Sequence, residues 1–460
     1  MYQLSMAQVY FETGREKDTA VFDYFFRKLP FEGGYAVFCG LEVLLDIIED
    51  FHFDERDIEF LGKNGFSDEF LNYLKTFRFW GDIYSCPEGD LVFPDRPVLQ
   101  VEASLIEGQI LETILLNILN YQTLIATKAS RMRQVAGESS LVDFGLRRAQ
   151  GPAGYYGARA AVIGGFSATS NVRAARDFGL QASGTMAHSF IQSYEKEIDA
   201  FRDFARYHPY DCVLLVDTYN TLKSGVPNAI TIAKEMEERG VQLKGIRLDS
   251  GDLAYLAKES RKMLDDAGLD RVKIAVSNQL DEKVIKSLRE QEAPIDFYGV
   301  GTSLIIGSPD AALDGVCKLV ENNGHPTIKI SESMQKITIP GKKQVFRLAD
   351  EKGEWIGADV VTFRNEDKIE KMHAPFDPMK SMQISQYQKQ ELLKPVMRNG
   401  KRTSPAKPIA QIAGFAQDQL RKLPDEYKRF YNPHIYKVGI SGDLHKLRND
   451  LIQKHKTEDA

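Results

Sequence analysis

Six polar residues stand where short apolar runs end: Asp143, His188, Asp217, Asp249, Asn278 and Thr302. Asp249-Ser250-Gly251-Asp252 follows one such run and precedes a helical pattern. Ser250 and Asp252 can cap that helix, Gly251 lets a ligand approach the backbone, and the free N–H groups of a helix start favour an anion. The carboxylates suit a sugar diol or Mg²⁺ equally well, and the same four residues also read as a plain turn. Gly299-Val300-Gly301-Thr302-Ser303 has the same form, with two glycines and two hydroxyls. Such a turn can fold its N–H groups into a nest for phosphate, or simply connect a strand to a helix.

Two further segments carry different chemistry. Asp143-Phe144-Gly145-Leu146-Arg147-Arg148 offers a ring face for a flat heterocycle and guanidiniums for carboxylate or phosphate. The competing reading is a core phenylalanine beside a solvated basic patch. Gly184-Thr185-Met186-Ala187-His188-Ser189 leaves an imidazole among small neighbours. That setting suits a nucleophile toward phosphate or a proton carrier, although most histidines are structural. No HExxH, GxSxG, P-loop or strand-linked GxGxxG pattern occurs, which removes support for zincin, serine-hydrolase and simple Rossmann readings.

The elements that must position these groups are strand and helix in alternation. Val213–Val216, Gly245–Leu248, Val272–Val276 and Phe297–Val300 read as buried strands, each ending at a polar residue. Between them lie amphipathic patterns, the clearest placing Leu253, Leu256, Ala257, Met263, Leu264 and Ala267 on one face. Successive βα units around a parallel sheet follow from this alternation, and ligands of such sheets bind at the carboxyl ends of the strands. Upstream, residues 1–120 mix aromatic-rich segments with extended runs near Leu91–Phe93 and Val98–Val101. Residues 106–135 have helical spacing, for one long helix or two, with Gly137 as the stop. Beyond about 320 come short strands and then polar helices, and the last residues are expected to fray.

The chain has 460 residues, enough for two or three domains. A net charge of −6 argues against broad nucleic-acid binding, which needs a concentrated basic face. Four scattered cysteines form no CxxC pair and fit a reducing, cytoplasmic compartment. The opening residues have no basic region leading into an apolar run, and no 18 apolar residues occur in succession, so a secretion signal or membrane span is not expected.

In combination the motifs resemble one family. The segments 143–148, 164–171 (Gly-Gly-Phe-Ser-Ala-Thr-Ser-Asn), 184–189, Val216-Asp217-Thr218-Tyr219, 246–252 and 299–302 are similar, in that order, to nicotinate phosphoribosyltransferase, as is the opening Tyr2-Gln3-Leu4-Ser5-Met6-Ala7. The resemblance implies the type II phosphoribosyltransferase fold. That fold is an irregular α/β barrel (121–334) with a second α+β domain from residues 1–120 and parts of the carboxyl-terminal segment 335–460, which would pack on both. It also implies a homodimer with shared sites, ATP as co-substrate and Mg²⁺. The implied reaction is nicotinate plus phosphoribosyl pyrophosphate giving nicotinate mononucleotide and pyrophosphate, coupled to ATP hydrolysis, in NAD salvage.

Carried over residue by residue, His188 would be transiently phosphorylated. Phe144 would stack on the pyridine ring, and Tyr2 from the partner subunit would cover its other face. Arg147 and Arg247 would hold anionic groups, Asp249 would bind the ribose hydroxyls, and Asp217 would orient His188 or assist Mg²⁺ held by substrate. Gly299, Gly301 and Thr302 would cradle the 5′-phosphate, with Thr169, Ser170, Ser250, Gly251 and Asn278 also binding substrate. The related nicotinamide enzyme carries aspartate at the position matching Ser170. A hydroxyl there can donate to a carboxylate that an aspartate would repel, which favours nicotinate. The alternatives are a nicotinamide-specific enzyme and a non-catalytic barrel that senses NAD precursors.

Overall fold

A computed structural model describes residues 1–377 and 379–458. They form two compact units, one of residues 125–311 and one of residues 1–124 with the chain beyond 311.

The unit of residues 125–311 is built on a parallel sheet. Its strands are β1 (Ser140–Asp143), β2 (Ala168–Thr169), β3 (Val213–Leu215), β4 (Gly245–Leu248), β5 (Lys273–Ser277) and β6 (Phe297–Val300), in the order β2-β1-β6-β5-β4-β3. Every neighbouring pair is parallel. Successive side chains of a strand point to opposite faces. One face carries Leu141, Leu214, Ile246, Ile274, Tyr298 and Val300, all buried. The other carries Val142, Val213, Arg247, Ala275 and Gly299, which line a cavity. Beyond β2 the chain adds one parallel bridge, Thr169 to Ala182. From there residues 181–185 run along the cavity to Thr185, whose hydroxyl accepts a hydrogen bond from Arg247 on β4. A side-chain contact thus spans the gap that a strand ladder would fill in a regular barrel, and the α/β barrel is irregular for that reason.

The helices differ from expectation in one respect. In Leu253–Asp266 the most buried positions are Ala254, Ala257, Ser260 and Leu264, while Leu253, Leu256 and Met263 flank them. Small residues let this helix sit close, so the largest apolar side chains need not mark the inner line. Residues 105–136 form a single helix, closed by Gly137 at φ +58°. Its Lys128 and Arg131 meet Glu282 at 2.5 and 3.1 Å, a buried pairing that fixes the helix Glu282–Glu290.

Among the described residues the other unit carries three sheets, the smallest a two-stranded pairing of Ala36–Val37 with Leu91–Val92. Its seven-stranded antiparallel sheet is ordered His325–Pro326, Gly315–Asn322, Thr19–Phe26, Leu99–Ser104, Asp82–Ser85, Lys394–Arg398, Lys401–Arg402. Gly315–Asn322 pairs with Thr19–Phe26, so the parallel unit stops at Ala311 rather than at residue 334. A six-stranded sheet contains Lys343–Ala349, Trp355–Phe363 and Lys437–Ser441. In this unit Arg96 meets Asp359 at 2.8 Å, Arg347 meets Asp90 at 2.7 Å and Asp359 at 3.2 Å, and all four side chains are buried. The last helix runs to Glu458, so the fraying expected of the final residues falls partly on 459–460, outside the described residues.

Candidate active site

The polar residues singled out from the sequence divide according to the face on which their strand leaves them. Asp217 and Asp249 lie two residues beyond Leu215 and Arg247, and Ser277 two residues beyond Ala275, so all three stand on the rim above the cavity. Asp217 is nearly sealed, with 1% of its side chain exposed. Its Oδ2 accepts from the Asp249 backbone N–H at 2.8 Å and the Ser250 hydroxyl at 2.6 Å. Oδ1 is buried and has no hydrogen-bond partner. Asp249 accepts from the Ser277 hydroxyl, with Arg247 at 3.9 Å from the same oxygen.

His188 faces both carboxylates. Its Nε2 lies 3.7 Å from Asp249 Oδ2 and 4.0 Å from Asp217 Oδ1, while Nδ1 is 3.0 Å from the Thr218 hydroxyl. With 38% of its side chain exposed, the imidazole remains open to solvent and ligand. Its loop is held by Arg247, which donates to Thr185 and to the Met186 carbonyl at 3.2 Å. Arg247 Nε is buried without a hydrogen-bond partner, and the guanidinium carbon lies 5.9 Å from the Phe144 ring centre. Burial pulls the Arg247 pKa below the ordinary guanidinium range; Asp249 and Asp217 oppose that fall and Arg147 adds to it. A buried cation with a vacant donor beside an aromatic ring is a receptor for an aromatic anion.

Phe144 lies flat because Gly299 has no side chain: a Cβ there would overlap the ring, and one on Gly301 would come within 3.1 Å of the Phe144 carbonyl. Gly299 therefore seats the ring. Gly301 and Thr302 stand at the rim, where Thr302 is exposed at the start of the four-residue helix Thr302–Ile305. Asn278 is exposed at the end of β5, with φ +87°. Gly251, at φ +76°, makes the turn for which glycine is suited. Asp252 caps the following helix through the Ala254 and Tyr255 N–H groups, whereas Ser250, also expected to cap, turns to Asp217.

Other candidates are placed elsewhere. Asp143 has the opposite parity and is fully buried. It accepts from the Gly145 N–H and the Thr169 hydroxyl, each at 2.7 Å, and burial raises its pKa. Thr169 is buried too, so the structure spends both groups on holding β1 to β2. Ser170 is half-buried, its N–H bound to the Asp143 carbonyl at 2.8 Å. Arg147 is exposed. Tyr2 belongs to the other unit, where it is exposed at the start of the helix Tyr2–Glu12. Thr218, Ser277 and Thr185 complete the hydrogen-bonding around the rim and were not anticipated. Ser277 could have been found by following inward parity from Ala275 to the end of β5, whereas Thr218 has the opposite parity and no such signal marks it.

Among the described residues no group of three or more His, Cys, Asp and Glu side chains is arranged to hold a metal, and no helix is long and apolar enough to cross a membrane. A divalent cation here would have to be shared with a ligand's oxygens, and the unpartnered Asp217 Oδ1 is the donor available for it.

Residues 1–120 match the nicotinate phosphoribosyltransferase (NAPRTase) N-terminal domain, residues 139–377 the NAPRTase family and residues 342–448 the nicotinate phosphoribosyltransferase C-terminal domain. The chain is 45% identical to a nicotinate phosphoribosyltransferase of Bacillus subtilis over 99% of its own length and 95% of the relative's. A Bos taurus relative of the same description is 32% identical over 98% and 95%. Among solved structures, human nicotinic acid phosphoribosyltransferase superimposes with a TM-score of 0.87 at 30% identity, covering 98% of this chain and 99% of that one. A nicotinate-nucleotide pyrophosphorylase from Pyrococcus furiosus does so with 0.71 at 25% identity, covering 92% and 94%.

Proposed function

The chain belongs to the nicotinate phosphoribosyltransferase family, and from that premise we propose that it transfers phosphoribose to nicotinate in a reaction coupled to ATP hydrolysis through a phosphorylated His188. The pyridine nitrogen attacks C1′ of phosphoribosyl pyrophosphate, the C1′–O bond breaks, and pyrophosphate leaves. Nicotinate mononucleotide, a precursor of NAD, is the product. Positive charge builds on the sugar during this exchange, and Asp249, fixed by Ser277 at the rim, is placed to offset it. The nitrogen needs positioning rather than a base, and the Phe144 face with the Arg247 guanidinium provides it. Ser170 contributes a hydroxyl for the carboxylate.

The single observation that carries this reading is the convergence at one rim of His188, 3.7 Å from Asp249 and 4.0 Å from Asp217, with Arg247, 3.9 Å from Asp249 and 5.9 Å from the Phe144 ring centre. In the ATP-linked half of the cycle, the γ-phosphoryl passes to His188 and is later released to water. The Thr218 hydroxyl at Nδ1 fixes the ring orientation, and the two carboxylates face Nε2. Mg²⁺, held mainly by substrate phosphates with Asp217 Oδ1 as its protein donor, would neutralise charge on the leaving group. Gly301 and Thr302 are assigned to the 5′-phosphate, Arg147 to a second anionic group, and Ser250, Gly251 and Asn278 to the ribose side. We further propose a homodimer in which Tyr2 of the partner subunit covers the pyridine ring. A cytoplasmic location is supported by the burial of all four cysteines as thiols.

Pyrophosphate release with nicotinate and with nicotinamide tests the assignment. Nicotinate is the expected substrate, and Ser170→Asp is expected to weaken nicotinate use and shift the preference toward nicotinamide. Preference for nicotinamide in the unmodified protein would point to the nicotinamide-specific reading. Binding of nicotinate without pyrophosphate release would point to a sensor.

A further inference from the structure

The unit of residues 1–124 and 312–460 has a cavity of its own, of about 400 Å³. It lies beside the end of Thr19–Phe26 and the start of Lys437–Ser441, and Leu29, Pro94, Pro375, Phe376, Pro433 and Tyr436 form its apolar walls. Proline and aromatic rings present flat, stiff faces. The Tyr436 ring stacks on Phe93 with centres 3.4 Å apart, and its hydroxyl donates to Asp359 at 2.7 Å. That wall is therefore preformed, as the walls of small-molecule sites usually are. The ionisable side chains on the lining are Arg27, Asp95, Asp377, Lys380 and His434. Lys380 and Asp377 pair with each other at 3.0 Å. Asp23 and Arg96, which share a smaller pocket with Asp95, are taken up by Lys343 at 2.9 Å and Asp359 at 2.8 Å. Arg27 is left over. Among the described residues it forms no ion pair, and its Nε is buried without a hydrogen-bond partner. Its guanidinium carbon lies 5.2 Å from the Phe25 ring centre. Arg247 combines the same two features at the rim.

We propose that this cavity is a second ligand site, for an amphipathic monocarboxylate whose carboxylate accepts from Arg27 Nε and whose apolar body packs on the proline and aromatic walls. One uncompensated cation favours a monoanion over a phosphate ester, whose second charge would find no partner. The body is larger than a single ring, since cavities of roughly 300–1,000 Å³ accommodate drug-sized ligands. Asp95 makes the site proton-dependent. Its backbone N–H donates to the Phe26 carbonyl at 2.9 Å, and burial pushes its carboxyl up to about 6, with Arg27 opposing the rise. Protonated, it donates to the second oxygen of the ligand's carboxylate; ionised, it repels that oxygen. His434 is exposed on the same lining and is the other titratable group without a charged partner named above. No residue of the rim takes part.

Calorimetry on the full-length protein, with nicotinate in excess to occupy the rim, compares 2-naphthoate, its uncharged amide and benzoate at a pH of about 5.5. One molecule of 2-naphthoate is expected per chain. The amide should bind about tenfold more weakly, the scale of one charged hydrogen bond, and benzoate more weakly for want of apolar contact. Raising the pH to about 7.5 should weaken 2-naphthoate about 25-fold, the fall in the protonated fraction of a group that titrates at about 6. Asp95→Asn keeps a donor in place and should restore tight binding at the higher pH. Arg27→Gln and the cavity-filling Leu29→Trp should abolish binding, while Arg247→Gln should not. Equal affinity for 2-naphthoate and its amide, or no binding of either, overturns the site without recourse to any variant. Binding that survives Arg27→Gln overturns it too, as does binding lost in Arg247→Gln, which would put the anion at the rim. A pH dependence that persists in Asp95→Asn would move the proton to His434 and overturn the role given to Asp95.

Discussion

Two clusters of arginine and aspartate in this chain use the same residue types for opposite ends. In the unit of residues 1–124 and 312–460, Arg96, Arg347, Asp90 and Asp359 meet at 2.7 to 3.2 Å, with side chains no more than 3% exposed. The Tyr436 hydroxyl donates to Asp359 at 2.7 Å, and the Trp355 ring lies 4.2 Å from the Arg347 guanidinium carbon. At the rim of the parallel sheet, His188 stands 3.7 Å from Asp249 and 4.0 Å from Asp217, and Arg247 stands 3.9 Å from Asp249. Buried polar atoms without a hydrogen-bond partner occur in both places: Asp217 Oδ1 and Arg247 Nε at the rim, and Asp90 Oδ2, Arg96 Nε and Asp359 Oδ2 in the first cluster. The difference lies in separation and exposure. The first cluster holds its charges at ion-pair distance and out of solvent. The second keeps them farther apart, with the His188 imidazole 38% exposed, so a ligand can reach it. Charged residues in a core therefore say little about function until their separation and exposure are known.

The contrast breaks if the two clusters respond alike to mutation. Asp359→Ala leaves two buried guanidiniums without their shared carboxylate, and should cost about 3–5 kcal/mol in chemical unfolding. Asp249→Asn should leave the unfolding midpoint nearly unchanged and lower kcat/KM for nicotinate about 10²- to 10³-fold, the scale for removing one preorganised charge contact. If Asp249→Asn instead unfolded the protein while Asp359→Ala were neutral, the roles assigned above would be reversed. A smaller effect is expected of Gly299→Ala, whose methyl group would displace the Phe144 ring. Losing one aromatic contact should raise KM for nicotinate about three- to tenfold, with less change in kcat.

The effect most remote from the rim concerns pH. Burial pushes Asp95, in the unit of residues 1–124 and 312–460, up to about 6, with Arg27 offsetting part of the rise. Between roughly 4 and 6 the folded state keeps a proton that the unfolded state has lost, so stability falls as pH rises through that window. Asp95→Asn should flatten this part of the stability profile and leave nicotinate turnover as it was.

Much of the rim is legible in the sequence because buried parallel strands are short apolar runs, and residues two steps beyond an inward-facing position must emerge above the lumen. Gly245–Leu248 and Phe297–Val300 were placed from that signal alone. The part that failed depended on partners distant in sequence. Asp143 ends its strand as expected, but its parity turns it toward Thr169 rather than the cavity. Nothing near Ser250 shows that its hydroxyl will reach Asp217, and nothing near Gly315 shows that the strand will pair with Thr19–Phe26. Gly299 looked like part of a phosphate turn, and only the position of the Phe144 ring shows it to be a seat.

In the proposed reaction His188 is the group through which ATP acts. Formation of nicotinate mononucleotide from nicotinate and phosphoribosyl pyrophosphate, measured with and without ATP in the unmodified protein and in His188→Ala, addresses that directly. Stimulation by ATP in the former and its loss in the latter, with residual ATP-independent transfer, is the predicted result. Equal stimulation in both proteins would contradict it.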